Sequence, residues 1–260
     1  MKKLFPILFV SLAAVAQAQI AADNSSNYGG TWTNGSNGGT GFLPWSLSNN
    51  DNPPTSFAGV FLGDSSLGAG DINVSGNSFG MYANPGGAFS NADRGFASAL
   101  TTGNIFTFQI ALNFDNGNKG FNLYAGAQGE VFNFNVGSGG SVSSANATLT
   151  PGPGVGYDYG GNDAVIDVNV IIASATSFTF DISRTSSLGN QGTLFSGTVS
   201  GLTEGISGIR FYVSDTDAGG APQNNLYFNN LSVVPEPSGV ALLGLGALSA
   251  AWLARRRRSS

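Results

Sequence analysis

The chain has 260 residues, of which 15 are acidic and 10 basic, and it contains neither cysteine nor histidine. Without those two side chains it forms no disulfide, lacks the ligands of most zinc sites, and lacks the usual nucleophile–base pairs of covalent catalysis. Between Gln19 and Ser232 only Arg94, Lys119, Arg184 and Arg210 are basic, against fourteen carboxylates. A body this acidic offers no phosphate-binding face, so nucleic acid is excluded as a partner.

The first 18 residues read as a secretory signal peptide. Lys2 and Lys3 precede an apolar run from Leu4 to Ala16, and Ala16-Gln17-Ala18 supplies the small-residue pattern at which signal peptidase cuts. That run is about 20 Å long as a helix, too short for the roughly 30 Å of a bilayer core. The mature chain is therefore expected to start at Gln19, delivered by the secretion machinery.

Residues 19–232 read as one all-β domain. Ala58–Leu62, Asp71–Val74 and Phe79–Ala83 are short strand candidates. The clearest element is Ile105–Phe114, where Phe106, Phe108, Ile110, Leu112 and Phe114 share one face and Thr107, Gln109 and Asn113 point the other way. That period of two marks a half-buried strand. Asp115-Asn116-Gly117-Asn118 turns the chain toward partners at Phe121–Tyr124 and Val131–Val136. Further strands follow at 164–172, 178–182, 194–199 and 209–213, the last with Arg210 and Tyr212 facing outward. Leu226 and Phe228 are out of step with Leu231 and Val233, which places a β-bulge at Asn229-Asn230. About ten such strands with Gly-, Asn- and Ser-rich turns predict a two-sheet β-sandwich or jelly roll.

Two features of this body suggest ligands. Trp32 and Trp45 lie among glycines and amides, and exposed aromatics beside amides grip sugar rings; packing into turns or core is the competing reading. Asp215-Thr216-Asp217 precedes Gly219-Gly220 as in some calcium loops, although the glutamate that completes an EF-hand is absent and a solvated hairpin loop accounts for the same residues. No carboxylate pair stands out as catalytic, so no enzymatic activity is expected.

Residues 233–260 form a separate signal. Pro235-Glu236-Pro237 is followed by an uncharged Gly-, Ala- and Leu-rich run, expected to be a transmembrane helix over about 238–254, and then by Arg255-Arg256-Arg257-Arg258. The arginines act as a stop-transfer cluster and put that end in the cytoplasm. These three ordered features resemble the PEP-CTERM sorting signal of Gram-negative bacteria. That resemblance implies recognition and processing by an exosortase in the inner membrane, then release to the cell surface or outside the cell. The segments Thr31–Gly39, Gly41–Trp45, Ser78–Asn84 and Asn225–Ser232 resemble lectin-like modules of exported surface proteins. The expected role is a structural surface or matrix protein without chemistry. The rival readings are a binding module for extracellular polysaccharide and, behind it, an acid-pair glycosidase.

Overall fold

The computed structural model describes residues 19–51, 53–154, 164–185, 192–217 and 220–236. The expected signal peptide, the transmembrane run, Pro237 and the arginine cluster lie outside these residues. No helix among the described residues is long and apolar enough to cross a membrane.

Fifteen strands are described, all paired antiparallel. They are β1 (Ala21–Asp23), β2 (Ser46–Asn50), β3 (Phe57–Gly63), β4 (Ser78–Asn84), β5 (Phe89–Gly95), β6 (Asn104–Leu112), β7 (Asn118–Ala125) and β8 (Gly129–Asn135). The remainder are β9 (Ser141–Ser143), β10 (Thr148–Pro151), β11 (Ala164–Ser174), β12 (Ser177–Arg184), β13 (Gly192–Ser200), β14 (Gly208–Ser214) and β15 (Leu226–Pro235). One sheet runs β10-β13-β12-β11-β6-β15-β4-β3, with β1 added beside β15; the other runs β2-β5-β14-β7-β8-β9. The chain passes repeatedly between the sheets, so the body is a β-sandwich of jelly-roll type, as the alternation predicts.

Phenylalanines fill the space between the sheets. Phe108 of β6 meets Phe121 of β7 edge-to-face at 4.8 Å, and Phe228 of β15 stacks on Phe211 of β14 at 3.7 Å. Phe132 of β8 packs on Phe180 of β12 at 4.7 Å. Each ring replaces a large apolar area otherwise wetted, which supplies a core without disulfides.

The bulge lies where the sequence places it. Register shifts between Asn229 and Ser232, Asn230 takes a φ of 58°, and Leu231 and Val233 are thereby turned inward. Asp71–Val74 differs from expectation: it is a loop with an isolated bridge between Val74 and Asn77. Asp64 Oδ1 accepts from Ser66 N and from Asn73 Nδ2, and these local bonds take the place of a ladder. The last strand continues to Pro235, opposite Asn104, so Val233 to Pro235 belong to the sheet as well as to the tail. Glu236 N donates to Gly103 O at that strand's end.

Candidate functional site

Apart from Lys119 at the start of β7, the inward residues of β14, β7 and β8 are apolar, so the intervening residues face outward from the six-stranded sheet. Strand pairing arranges these into rows. Asp93, Arg210, Asn122 and Asn133 lie side by side on β5, β14, β7 and β8. Asn91, Tyr212, Gly120 and Asn135 form the next row, and Tyr124 pairs with Glu130 beyond Arg210. Of these, Asn91, Asn122, Tyr124, Glu130, Asn133, Asn135, Arg210 and Tyr212 line a groove of about 390 Å³.

Side-chain bonds hold this floor in place. Arg210 Nε and Nη2 donate to the two oxygens of Asp93 at 2.8 and 3.3 Å, and the guanidinium lies 5.5 Å from the ring centroid of Tyr124. Asn122 Nδ2 donates to Glu130 Oε2 at 2.6 Å. Tyr212 reaches over Gly120, donates through Oη to Phe134 O at 3.0 Å and accepts from Asn133 Nδ2 at 2.9 Å. Gly120 is needed here: a Cβ would fall 1.8 Å from Phe134 O and 3.1 Å from Tyr212 Oη. The tyrosine is thus fixed by two bonds and loses little rotamer freedom when a ligand arrives.

Burial pushes the Tyr212 phenol up to about 12 and raises Tyr124 as well, so both remain neutral near neutral pH. Burial also raises Glu130, against the bond from Asn122 and the charge of Arg210. For Arg210 burial works downward, but the bond and charge of Asp93, then Tyr124 and Glu130, raise it overall. The groove therefore offers two neutral phenols, several amides that both donate and accept, the Glu130 carboxyl held by Asn122, and one cation already paired. It is a surface suited to hydroxyl-rich, uncharged or weakly charged ligands.

The sequence-derived sites fare differently. Trp32 and Trp45 are core residues, 4% and 1% exposed, so of the two readings packing into the core holds and the exposed sugar-gripping pair does not. Their rings meet edge-to-face at 5.4 Å and both pack on Phe79 and Phe228. Trp45 Nε1 donates to Tyr28 Oη at 2.7 Å, so the glycine-rich segment folds its aromatics inward over the sandwich. Asp215 Oδ1 accepts from Gly87 N at 2.5 Å and Asp217 Oδ2 from Asn116 Nδ2 at 2.7 Å. These are separate partners, and no group of three potential metal-ligating side chains of His, Cys, Asp or Glu occurs among the described residues.

Sequence reasoning set Arg210 and Tyr212 on the outward face but did not join them to a groove. The signal was present: the outward positions of β7, β8 and β14 carry amides and tyrosines where solvated strands usually carry threonine or lysine.

Comparison with known proteins finds no match among curated relatives. Among solved structures, the family 11 carbohydrate-binding module of the cellulosomal cellulase Lic26A-Cel5E of Clostridium thermocellum aligns over 86% of this chain and 96% of its own, at 7% identity and TM-score 0.38. The module from the same organism in complex with a beta-1,3-1,4-mixed-linked tetrasaccharide aligns over 84% and 98%, at 7% identity and TM-score 0.37. The catalytic domain of beta-agarase D from Zobellia galactanivorans aligns over 75% and 76%, at 10% identity and TM-score 0.35. Residues 233–258 match the PEP-CTERM protein-sorting motif, which marks this chain as an exported protein sorted by an exosortase.

Proposed function

We propose that the sorting tail delivers a non-catalytic polysaccharide-binding module to the cell surface or the extracellular matrix, and that the Tyr124–Tyr212 groove is its binding site. The observation that carries this reading is Tyr212, held across Gly120 between Asn133 and the Phe134 carbonyl and flanked by the Arg210–Asp93 pair. A sugar needs an aromatic face for its C–H surface and fixed donors and acceptors for its hydroxyls, and the groove supplies both. Asp93 is engaged with Arg210 and Glu130 with Asn122, so the groove carboxylates serve as braces and acceptors in this reading. In the same reading signal peptidase cuts after Ala18, Arg255 to Arg258 hold the run over 238–254 in the inner membrane, and exosortase acts at Pro235-Glu236-Pro237.

The test is affinity electrophoresis of the exported protein in gels containing the extracellular polysaccharide of the producing cells. Wild type is expected to be retarded, and Tyr212→Ala to lose about tenfold in affinity. Equal, unretarded migration of both proteins supports instead a structural component without a ligand.

A further inference from the structure

The outer face of the other sheet carries a second aromatic feature, built on its edge. β3 presents Phe57, Gly59, Phe61 and Gly63 on that face, and β4 sets Asn84, Tyr82, Gly80 and Ser78 directly opposite them. Rings and glycines therefore alternate in a checkerboard. A Cβ at Gly80 would lie 2.4, 2.5 and 2.8 Å from three atoms at the tip of the Phe61 ring. Such near-equal distances mean that the ring lies face-down on the glycine. A Cβ at Gly59 would likewise lie 2.6 to 2.8 Å from Tyr82 Oη, Cε1 and Cζ, so that ring is flat too.

Laying a ring over a cross-strand glycine leaves its other face toward solvent. Phe61 and Tyr82 are both only partly buried, with centroids 6.2 Å apart and planes inclined at 43°. Phe57, 46% exposed, extends the strip. Tyr227, buried under Ala69 and Ile72, stands edge-on to Phe61 at 5.8 Å and walls one side. The cavity over the strip is about 640 Å³, and among the described residues its lining includes Asn84 and Asn225 but no charged side chain.

We propose that this strip is a second saccharide-binding platform, which takes a neutral polysaccharide of equatorially linked pyranose rings. Phe57, Tyr82 and Phe61 are successive stacking positions, and Asn84 and Asn225 bond the ring-edge hydroxyls. Equatorial linkage matters because it leaves both faces of the sugar flat and lined by C–H groups, which match the exposed ring faces. The uncharged lining selects against anionic polymers, whose carboxylates would find no cation there. The platform is on the opposite sheet from the Tyr212 groove and does not rest on it. With both in use, one copy of the protein joins two polysaccharide chains.

The test uses the exported protein and hydroxyethyl cellulose as the neutral probe in affinity electrophoresis. A Tyr124→Ala/Tyr212→Ala variant, which silences the groove, is expected to remain retarded. Adding Phe61→Ala should weaken that binding about fivefold to tenfold, and Phe61→Tyr should restore it. Phe57→Ala removes a half-exposed ring, so it should cost about threefold in affinity with little change in melting temperature. It decides the matter if Phe61→Ala fails to fold. Unretarded migration of the groove-silenced protein overturns the proposal, as does full retardation of folded Phe57→Ala and Phe61→Ala variants. Because β3 is an edge strand, a concentration-dependent dimer lost in Phe57→Ala would also overturn it, by assigning the strip to a second copy of the chain. If instead the groove reading is wrong, Tyr124→Ala/Tyr212→Ala binds like wild type and the Phe57 and Phe61 effects persist.

Discussion

Asp23 and Arg94 form an ion pair at 3.1 Å in which neither side chain reaches solvent. Asp23 Oδ2 also accepts from Tyr28 Oη at 2.6 Å, and Arg94 lies 4.9 Å from the ring centroid of Trp45. This cluster ties β1 and the loop carrying the tryptophans to the inward face of β5. Removing one partner leaves the other buried and unpaired. Arg94→Met is expected to lower unfolding stability by about 3–5 kcal/mol in urea titration, whereas Asp23→Leu/Arg94→Met should recover most of the loss. An Arg94→Met protein as stable as wild type would show that the pair contributes nothing.

Lys119 gives the fold a pH dependence. Its Nζ donates to Phe114 O at 2.5 Å, and burial pulls its pKa down to about 7 against the charges of Asp115 and Asp217. The unfolded lysine keeps its proton to about pH 10.4. Between about 7 and 10 the unfolded chain therefore holds more protons, so stability rises with pH across that window; below about 7 the cost of the buried charge is fully present. Above about pH 10 the sign reverses, because burial raises Tyr28 and Tyr212 and the folded state keeps protons that the unfolded state loses. Melting temperature should peak between about pH 9 and 10, and Lys119→Met should flatten the rising limb. A melting temperature that falls steadily from pH 7 upward would contradict this.

The tail carries its own expectation. Glu236→Ala leaves the apolar run and Arg255 to Arg258 intact, so insertion should proceed while exosortase recognition fails. The uncut precursor should then collect in the inner-membrane fraction. Replacing the four arginines with serine should instead let the chain pass through without anchoring or processing. A Glu236→Ala protein cut and released like wild type would show that the glutamate is not read.

The sandwich was legible because its long strands alternate cleanly. Phe106, Phe108, Ile110 and Leu112 announce β6, and the phase slip at Asn229-Asn230 announces the bulge. β5 was not legible: its inward residues are Ser90, Ala92 and Arg94, with no apolar period, because the arginine meets Asp23 from a distant strand. β2, Ser-Leu-Ser-Asn-Asn, is a mostly exposed edge strand and carries no pattern either. The sites depend on cross-strand neighbours, which one strand's residues do not specify. Tyr212 and Gly120 are 92 positions apart, as their numbers show, yet they pair. The tryptophans left two readings open for a local reason: Gly- and Asn-rich surroundings fit an exposed loop as well as the tight turns that here bury both rings.

The groove on the six-stranded sheet is the central claim, and isothermal titration of the exported protein with the polysaccharide of its own cells tests it most directly. Tyr212→Phe, which loses the bonds to Asn133 and Phe134 but keeps the ring, should weaken binding about threefold to tenfold, and Tyr212→Ala more. Tyr124→Ala should act in the same direction, because its ring and the Arg210 guanidinium stack against each other. Matched affinities for wild type, Tyr212→Ala and Tyr124→Ala, with each variant melting like wild type, would contradict the account.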